Sequence, residues 1–364
     1  TGDEYDEVNS YYPGDGVFWE HIFSLDDREF NVLLHNNHDG TFSNVTDEAG
    51  LGGQGWSGDV AVFDFDDDGD SDLLVTNMFG CSQLYRNDGQ GHFENAASEV
   101  LGKTSVGAIG CKAFDYNNDG RLDLFITDMH SDMWIDFEER SLVQPGKKFQ
   151  SIAGPADGPN TEQRRFMLNF ERRLRDELGL DLDAVLFGNS FFRNEGSGRF
   201  TEISDTAGLE TFWPWGVAVG DFNNDAYEDL FIAAGMGYPW FYWPDSLMLN
   251  TGKGTFADRA ADEGIEPPLG GTLFPQKIQG RDVSRSSRSA ATADFDGDGR
   301  LDLMVANFND RPYYFKNQFP RRQYLALRLE GTRSTRDAIG AVVKLYRGDE
   351  VLVRQVQCTG GYLS

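Results

Sequence analysis

Short apolar runs alternate with polar, glycine-rich stretches along most of this chain. Four of the runs, Leu73-Leu-Val75, Leu124-Phe-Ile126, Leu230-Phe-Ile232 and Leu303-Met-Val305, directly follow an acidic loop of one design. Before each loop lies a strand-like run of small and apolar residues: Gly58 to Phe63, Gly107 to Phe114, Gly216 to Gly220 and Ser289 to Ala293. A second pattern travels with the first. It runs from an apolar residue through Asn and a glycine-rich turn to Phe, at Leu34 to Phe42, Leu84 to Phe93, Phe192 to Phe200 and Leu249 to Phe256, and ends in a shortened copy at Tyr314 to Asn317. Two apolar runs joined through such a turn predict a hairpin. One unit therefore holds a small-residue strand, an acidic loop, a strand, a hairpin and a further strand. Four strands per roughly 50 residues is the period of a β-propeller blade. The pattern predicts an all-β chain of four-stranded blades, four of them clear, with an N-terminal half-blade.

The loops begin at 64, 115, 221 and 294, so two blades carry insertions. The larger spans about 131–187. Within it Phe166, Phe170, Leu174 and Leu178 recur four apart among Arg and Glu, which predicts a helix over Thr161 to Leu178. The second, about 266–287, has Pro267-Pro268, several glycines and basic residues and reads as a loop. This gives a lead-in over 1–17, blades over 18–320 and a C-terminal β segment over 321–364.

The acidic loops carry the candidate chemistry. They read Asp64-Phe-Asp66-Asp-Asp68-Gly-Asp70-Ser-Asp72, Asp115-Tyr-Asn117-Asn-Asp119-Gly-Arg121-Leu-Asp123, Asp221-Phe-Asn223-Asn-Asp225-Ala-Tyr227-Glu-Asp229 and Asp294-Phe-Asp296-Gly-Asp298-Gly-Arg300-Leu-Asp302. Calcium takes six to eight hard oxygen ligands in a flexible shell. Side-chain oxygens at positions 1, 3, 5 and 9, with the carbonyl of position 7, can wrap one ion. Asp70, Arg121, Tyr227 and Arg300 differ because only their backbone carbonyl is used. Glycine at position 6 lets the chain reverse at positive φ. Ala226 stands there in the third loop, which should make Asp221 to Asp229 the weakest site. No loop contains His or Cys, which disfavours zinc. Magnesium keeps several waters and suits an all-protein cage less well. An EF-hand would end in Glu at position 12 between helices, whereas a β-type run follows here. The expectation is about four calcium ions, one per loop.

Charge narrows the partners. Sixty acidic against 32 basic residues give a formal charge of −28. Such a chain repels nucleic acid, whose binders need basic patches. It suits a protein exposed to millimolar calcium, secreted or at a cell surface, or in the periplasm of a bacterium. No run of 18 or more apolar residues predicts a membrane span. The chain begins with Thr without a legible signal peptide and reads as processed or trimmed. Cys81, Cys111 and Cys358 leave a Cys81–Cys111 disulfide open and one thiol over. Asn44-Val-Thr46 is a lone glycosylation sequon.

The loops and hairpins resemble FG-GAP repeats, also called VCBS-type repeats, whose acidic loop occurs in integrin α propellers. Tyr324 to Lys344, with Gly360-Gly361-Tyr-Leu-Ser364, resembles the ASPIC/UnbV domain that follows such repeats in cartilage acidic protein and in many bacterial secreted proteins. The resemblance implies a propeller that usually closes with seven blades, and an ASPIC/UnbV segment that reads as truncated.

Catalytic motifs are not legible. No nucleophile elbow, His-Glu-x-x-His or phosphate loop appears. His21, His35, His38, His92 and His130 are scattered, and His35 with His38 reads as an exposed turn rather than a ligand pair. Trp213-Pro-Trp215 and Tyr238 to Pro244 form an aromatic patch, read as packing before glycan stacking. Arg347-Gly348-Asp349 reads as a hairpin turn before an integrin-binding tripeptide. The sequence reading is thus a calcium-binding module for an extracellular protein or glycan, capable of self-assembly. The alternative is a lyase or glycosidase acting on extracellular polysaccharide.

Overall fold

The computed structural model describes residues 30–53, 55–78, 80–105, 107–129, 185–186, 188–211, 213–235, 244–265, 276–278, 281–283, 286–308, 311–348, 350–357 and 362. In it each repeat becomes an antiparallel sheet whose strands follow chain order. The first blade holds Trp56–Phe63, Asp72–Met78, Gln83–Asn87 and Phe93–Asn95. The second holds Ala108–Phe114, Asp123–Asp128, Ser190–Gly196 and Arg199–Glu202, and the third Pro214–Gly220, Asp229–Ala234, Ser246–Asn250 and Phe256–Asp258. The fourth has three strands: Ser287–Ala293, Asp302–Asn307 and Tyr313–Phe315. Ahead of them Leu34–Asn36 pairs with Phe42–Asn44. Its Asn36–Phe42 register repeats as Asn87–Phe93, Asn194–Phe200 and Asn250–Phe256, so this half-blade is an outer hairpin. Among the described residues the chain is all-β, a propeller array of four blades with only single helical turns.

The small residues of the first strands set the blade spacing. A Cβ on Gly58, Gly110 or Gly216 would lie within 2.7 Å of the carbonyl oxygen of Ile109, Trp215 or Arg288, each in the next blade's first strand. Without a side chain there, neighbouring first strands can lie side by side. Thr127 Oγ1 then donates to the Trp215 carbonyl at 2.7 Å, joining two blades. Each first strand also carries a register shift near its start, the mark of a β-bulge that twists the blade.

The core lies between blade faces. Ala61, Phe63, Leu74 and Leu84 of the first blade pack on Ala108, Leu124 and Ile126 of the second. Phe114, Phe125 and Phe191 meet Val217, Leu230 and Ile232 of the third, and Ala218, Phe231 and Leu247 meet Leu303 and Val305 of the fourth. Phe63, Phe65, Phe125, Phe191, Phe192 and Phe231 are fully buried, each contributing about 1.5–3 kcal/mol. The aromatic at position 2 of each loop belongs to this packing. Phe65, Tyr116 and Phe222 are buried, while Phe295 of the fourth blade is 53% exposed.

After the hairpins of the half-blade and of the first two blades, the chain makes one helical turn, at Thr46–Ala49, Ala97–Val100 and Ser204–Ala207. Of the second insertion, Gln276–Ile278 pairs with Arg281–Val283. The helix expected over Thr161 to Leu178 lies outside the described residues, as do Tyr238 to Trp243, Asp349 and Cys358. Cys81 and Cys111 are free thiols, so the disulfide left open between them is not formed. Among the described residues no helix is long and apolar enough to cross a membrane.

Beyond the blades, Val342–Arg347 and Glu350–Gln355 form a hairpin. Arg347 is ion-paired to Glu350 at 2.6 Å across its turn, as the turn reading expects. The hairpin's second strand lies beside the first strands of the second, third and fourth blades, where a cavity of about 430 Å³ is lined by Lys112, Ala218, Glu228, Thr292, Val353 and Gln355, among others.

Candidate metal centres

Each loop is shaped by the same five hydrogen bonds. In the first, Asp64 accepts the N–H of Asp68 at 3.2 Å and of Gly69 at 3.0 Å, and Asp68 accepts that of Asp70 at 2.9 Å. Asp72 accepts from Phe65 at 3.0 Å and from Asn87 at 2.8 Å. The second loop repeats them through Asp115, Asp119 and Asp123, the third through Asp221, Asp225 and Asp229, and the fourth through Asp294, Asp298 and Asp302. The aspartates at positions 1, 5 and 9 are therefore aimed by backbone N–H groups. The position-9 aspartates Asp72, Asp123, Asp229 and Asp302 are almost wholly buried.

The backbone must turn left-handed twice in each loop. Position 4 has positive φ at Asp67, Asn118, Asn224 and Gly297. These are the residue types that tolerate that region. Position 6 has it at Gly69, Gly120, Gly299 and also Ala226, at φ 82°. Ala226 thus adopts the glycine conformation, and its N–H still reaches Asp221 at 2.8 Å.

One ligand oxygen each from Asp64, Asp66 and Asp72 gather within 4.8 Å of one another, and so do those of Asp294, Asp296 and Asp302. Asn117 and Asn223 offer amide oxygens at position 3 of the other two loops. Among the described residues, three buried side-chain polar atoms lack a hydrogen-bond partner: Asp66 Oδ1, Asn118 Oδ1 and Asn223 Oδ1. All three are loop acceptors, and two are at position 3. A buried oxygen without a donor is costly, and a hard cation would satisfy it. The all-oxygen donor set fits calcium.

The carboxylates register the crowding. Burial first, then neighbouring acids, raise Asp72 and Asp115 to about 6 and Asp229 to about 8, against the pull of their peptide N–H bonds. Asp123 is pushed well up for the same reasons. The fourth loop is the exception. Arg300, then Arg321, hold Asp298 down to about 2. Lys316 is ion-paired to Asp296, and the Tyr314 hydroxyl donates to Asp302 at 2.8 Å. In the first loop Arg86 meets the other oxygen of Asp66 at 3.2 Å. At position 7, Arg121 and Arg300 turn back onto Asp119 and Asp298, whereas Asp70 and Tyr227 come close to the hairpin glycines Gly89 and Gly252.

The hairpin asparagine does more than the sequence reading assigned to it. Asn87, Asn194, Asn250 and Asn317 give a backbone N–H to the position-9 aspartate, while the side-chain oxygens of the first three cap the hairpin turn and that of Asn317 accepts from Phe319. Three of the side-chain amides also reach into the preceding blade's loop. Asn194 donates to the Phe65 carbonyl at 3.2 Å, Asn250 to Tyr116 at 2.8 Å and Asn317 to Phe222 at 2.7 Å. The recurrence of this Asn was the available signal, but a turn alone accounted for it. His35 and His38 are exposed, as expected.

Comparison with known proteins agrees with this architecture. The FG-GAP-like repeat matches residues 14–75, 64–126 and 181–232, the FG-GAP repeat matches 213–255, and the ASPIC and UnbV family matches 331–364. Cartilage acidic protein 1 of Mus musculus is 22% identical over 306 residues, covering 76% of this chain and 43% of that protein. Its Xenopus tropicalis counterpart is 24% identical over 310 residues, with 76% and 43% covered, and the Homo sapiens protein 23% over 308, with 76% and 42%. The chain spans less than half the length of these relatives.

Proposed function

Since the chain belongs to the FG-GAP repeat propellers that carry an ASPIC and UnbV domain, we infer that it is an extracellular binding module whose blades are stabilised by calcium. The observation that carries this reading is that, among the described residues, the buried donorless oxygens all lie in the acidic loops, two of them, Asp66 Oδ1 and Asn223 Oδ1, at the ligand position 3. Asp64, Asp66, Asp68 and Asp72 would hold the ion of the first blade, with the carbonyl of Asp70. The equivalents are Asp115, Asn117, Asp119, Asp123 and the Arg121 carbonyl; Asp221, Asn223, Asp225, Asp229 and the Tyr227 carbonyl; and Asp294, Asp296, Asp298, Asp302 and the Arg300 carbonyl. Bound calcium would supply positive charge to the buried carboxylates Asp72, Asp115, Asp123 and Asp229, whose burial and acidic neighbours raise them. The protein's own contribution is to aim the ligands and exclude water from position 9. The third site should be the weakest, because Ala226 holds a strained φ.

The partner in this reading is an extracellular protein or glycan, and the setting secreted or cell-surface. Self-association is a second reading, favoured by apolar side chains exposed on the fourth blade, Phe295, Met304 and Tyr314, and on the half-blade, Leu34 and Phe42. An enzyme acting on polysaccharide draws less support. Among the described residues, the lining of the cavity beside the first strands holds one carboxylate, Glu228, which is paired to Arg354 at 3.2 Å, whereas most glycosidases use two.

Thermal unfolding in EDTA and in graded calcium, with metal analysis of the purified protein, tests the central claim. A ligand that binds only the folded state stabilises by about 2.7 kcal/mol per site at a hundredfold excess over its Kd. A large calcium-dependent rise in Tm with about four calcium per chain is expected. A Tm indifferent to both EDTA and calcium would refute the reading.

A further inference from the structure

The loops are not equivalent, because the C-terminal segment touches some of them. Val353 donates its N–H to Asp115 Oδ2 at 3.2 Å. That oxygen also accepts from Gly120, and Asp119 binds the other one. Asp115 thus has a backbone donor from outside its own loop, whereas Asp64 and Asp294 accept from backbone N–H groups within theirs. Val351 forms a parallel bridge with Asp119, and its Cγ1 would lie 3.3 Å from a Cβ on Gly120. In the third loop, Arg354 donates to the Ala226 carbonyl at 3.2 Å and pairs with Glu228. Gln357 donates to the Ala113 carbonyl at 2.8 Å and accepts from Lys112 at 3.4 Å, which anchors the end of the strand in the second blade. Gly69 of the first loop, by contrast, faces nothing within 4 Å of where its Cβ would be.

We propose that the C-terminal hairpin is a working part of the second and third loops, with Val353 and Arg354 as positioning residues, so that hairpin docking and cation binding form one linked equilibrium. This rests on the calcium reading above. The Val353 N–H fixes the position-1 carboxylate from outside the loop, the role that outer-shell donors play at metal sites. Losing such a donor typically costs about 10–100-fold in metal affinity. Linkage makes the effect reciprocal: what the docked strand adds to cation affinity, the cation adds to docking. The bonds join the strand to positions 1 and 5 of one loop and to positions 6 and 8 of the next. A cation that holds those loops in shape therefore holds the strand, and its removal loosens residues 350–357 along with them.

Site-resolved hydrogen exchange of the full chain during a calcium titration tests this. Residues 350–357 should exchange slowly in calcium and fast in EDTA, with the same calcium midpoint as 115–123. Val353→Pro, which deletes the donor, should raise the midpoint at 115–123 about tenfold and leave that at 64–72 unmoved. Because Val353 is buried and its variant could misfold, Gln357→Ala serves as the second variant. It frees the far end of the strand without touching a loop carboxylate, and should shift the 115–123 midpoint in the same direction by several-fold. Equal exchange of 350–357 in calcium and EDTA, with 64–72 still protected by calcium, overturns the proposal and spares the calcium reading. A hairpin loosened by Gln357→Ala with no change at 115–123 does the same. If 64–72 is also indifferent to calcium, both readings fall.

Discussion

A single asparagine side chain does two jobs in this fold, and the blades make unequal use of it. Asn250 donates to the Tyr116 carbonyl in the preceding loop and to the Glu228 carbonyl in its own. Asn87 has one such bond, to the Ser71 carbonyl, at an exposed site. Replacing Asn250 by Ala leaves two buried acceptors unsatisfied, at about 1–3 kcal/mol each. Replacing Asn87 by Ala leaves an exposed acceptor to water, and should cost less than about 1 kcal/mol. Chemical unfolding of both variants at fixed calcium should separate them by about 1 kcal/mol or more, and equal losses would dismiss the staple between blades. Ala226 poses the opposite case. Its φ of 82° costs a non-glycine residue about 1–2 kcal/mol. Glycine relieves that strain but enlarges the unfolded ensemble. Ala226→Gly should therefore gain about 1 kcal/mol or somewhat less, and tighten calcium at the third loop.

At the scale of the loop, charge sets the response to pH. Asp72 and Asp115 titrate near 6 and Asp229 near 8 in the folded, metal-free protein, against 3.8 as the ordinary value. A raised folded pKa means that the folded state binds more protons than the unfolded one. Stability of the metal-free protein then falls as pH rises from about 4 through about 8. Calcium needs the same carboxylates ionised, so its affinity moves the other way. In EDTA, Tm should be higher at about pH 5 than at about pH 8, and millimolar calcium should shrink or invert that difference. A Tm in EDTA that rises over this interval would show that the carboxylates are not destabilised as their burial implies. The loop itself was legible in the sequence because its oxygens and its turn lie within nine consecutive positions, and the hairpin because Asn, Gly and Phe are close neighbours. The staples were not: Asn194 and Phe65 lie 129 residues apart, and Asn250 and Tyr116 lie 134 apart. Nor was the demand for positive φ at position 4. Asp67, Asn118 and Asn224 also serve as polar turn residues, which concealed their backbone role.

At the scale of the whole molecule, each blade is stabilised by its neighbours, so stability depends on position in the array. The second and third blades have packed blades on both sides, and their second strands, Asp123–Asp128 and Asp229–Ala234, are buried at every residue. Among the described residues, the fourth packs against the third. Met304 of its second strand is 44% exposed, and Phe295 lacks the cover that Phe65, Tyr116 and Phe222 receive. The half-blade is a pair of three-residue strands exposed throughout. Where each unit is held by its neighbours, stability is close to a sum of unit and interface contributions, so the least covered units open first. The first-strand glycines and the asparagine staples both act across blade boundaries, and should therefore keep blades two and three opening together rather than singly. Native-state hydrogen exchange in saturating calcium should show the slowest amides in Asp123–Asp128 and Asp229–Ala234, with one shared opening free energy. Protection should be lower in Asp302–Asn307 and lowest in Leu34–Asn36. Asn250→Ala should split the shared value, because it cuts the bond from the third blade to Tyr116 in the second. A half-blade as well protected as the central strands would mean that its exposed Leu34 and Phe42 are covered in solution, which self-association would explain. Repeating the exchange at tenfold lower protein concentration would then decide that point, since protection that comes from a second molecule falls on dilution.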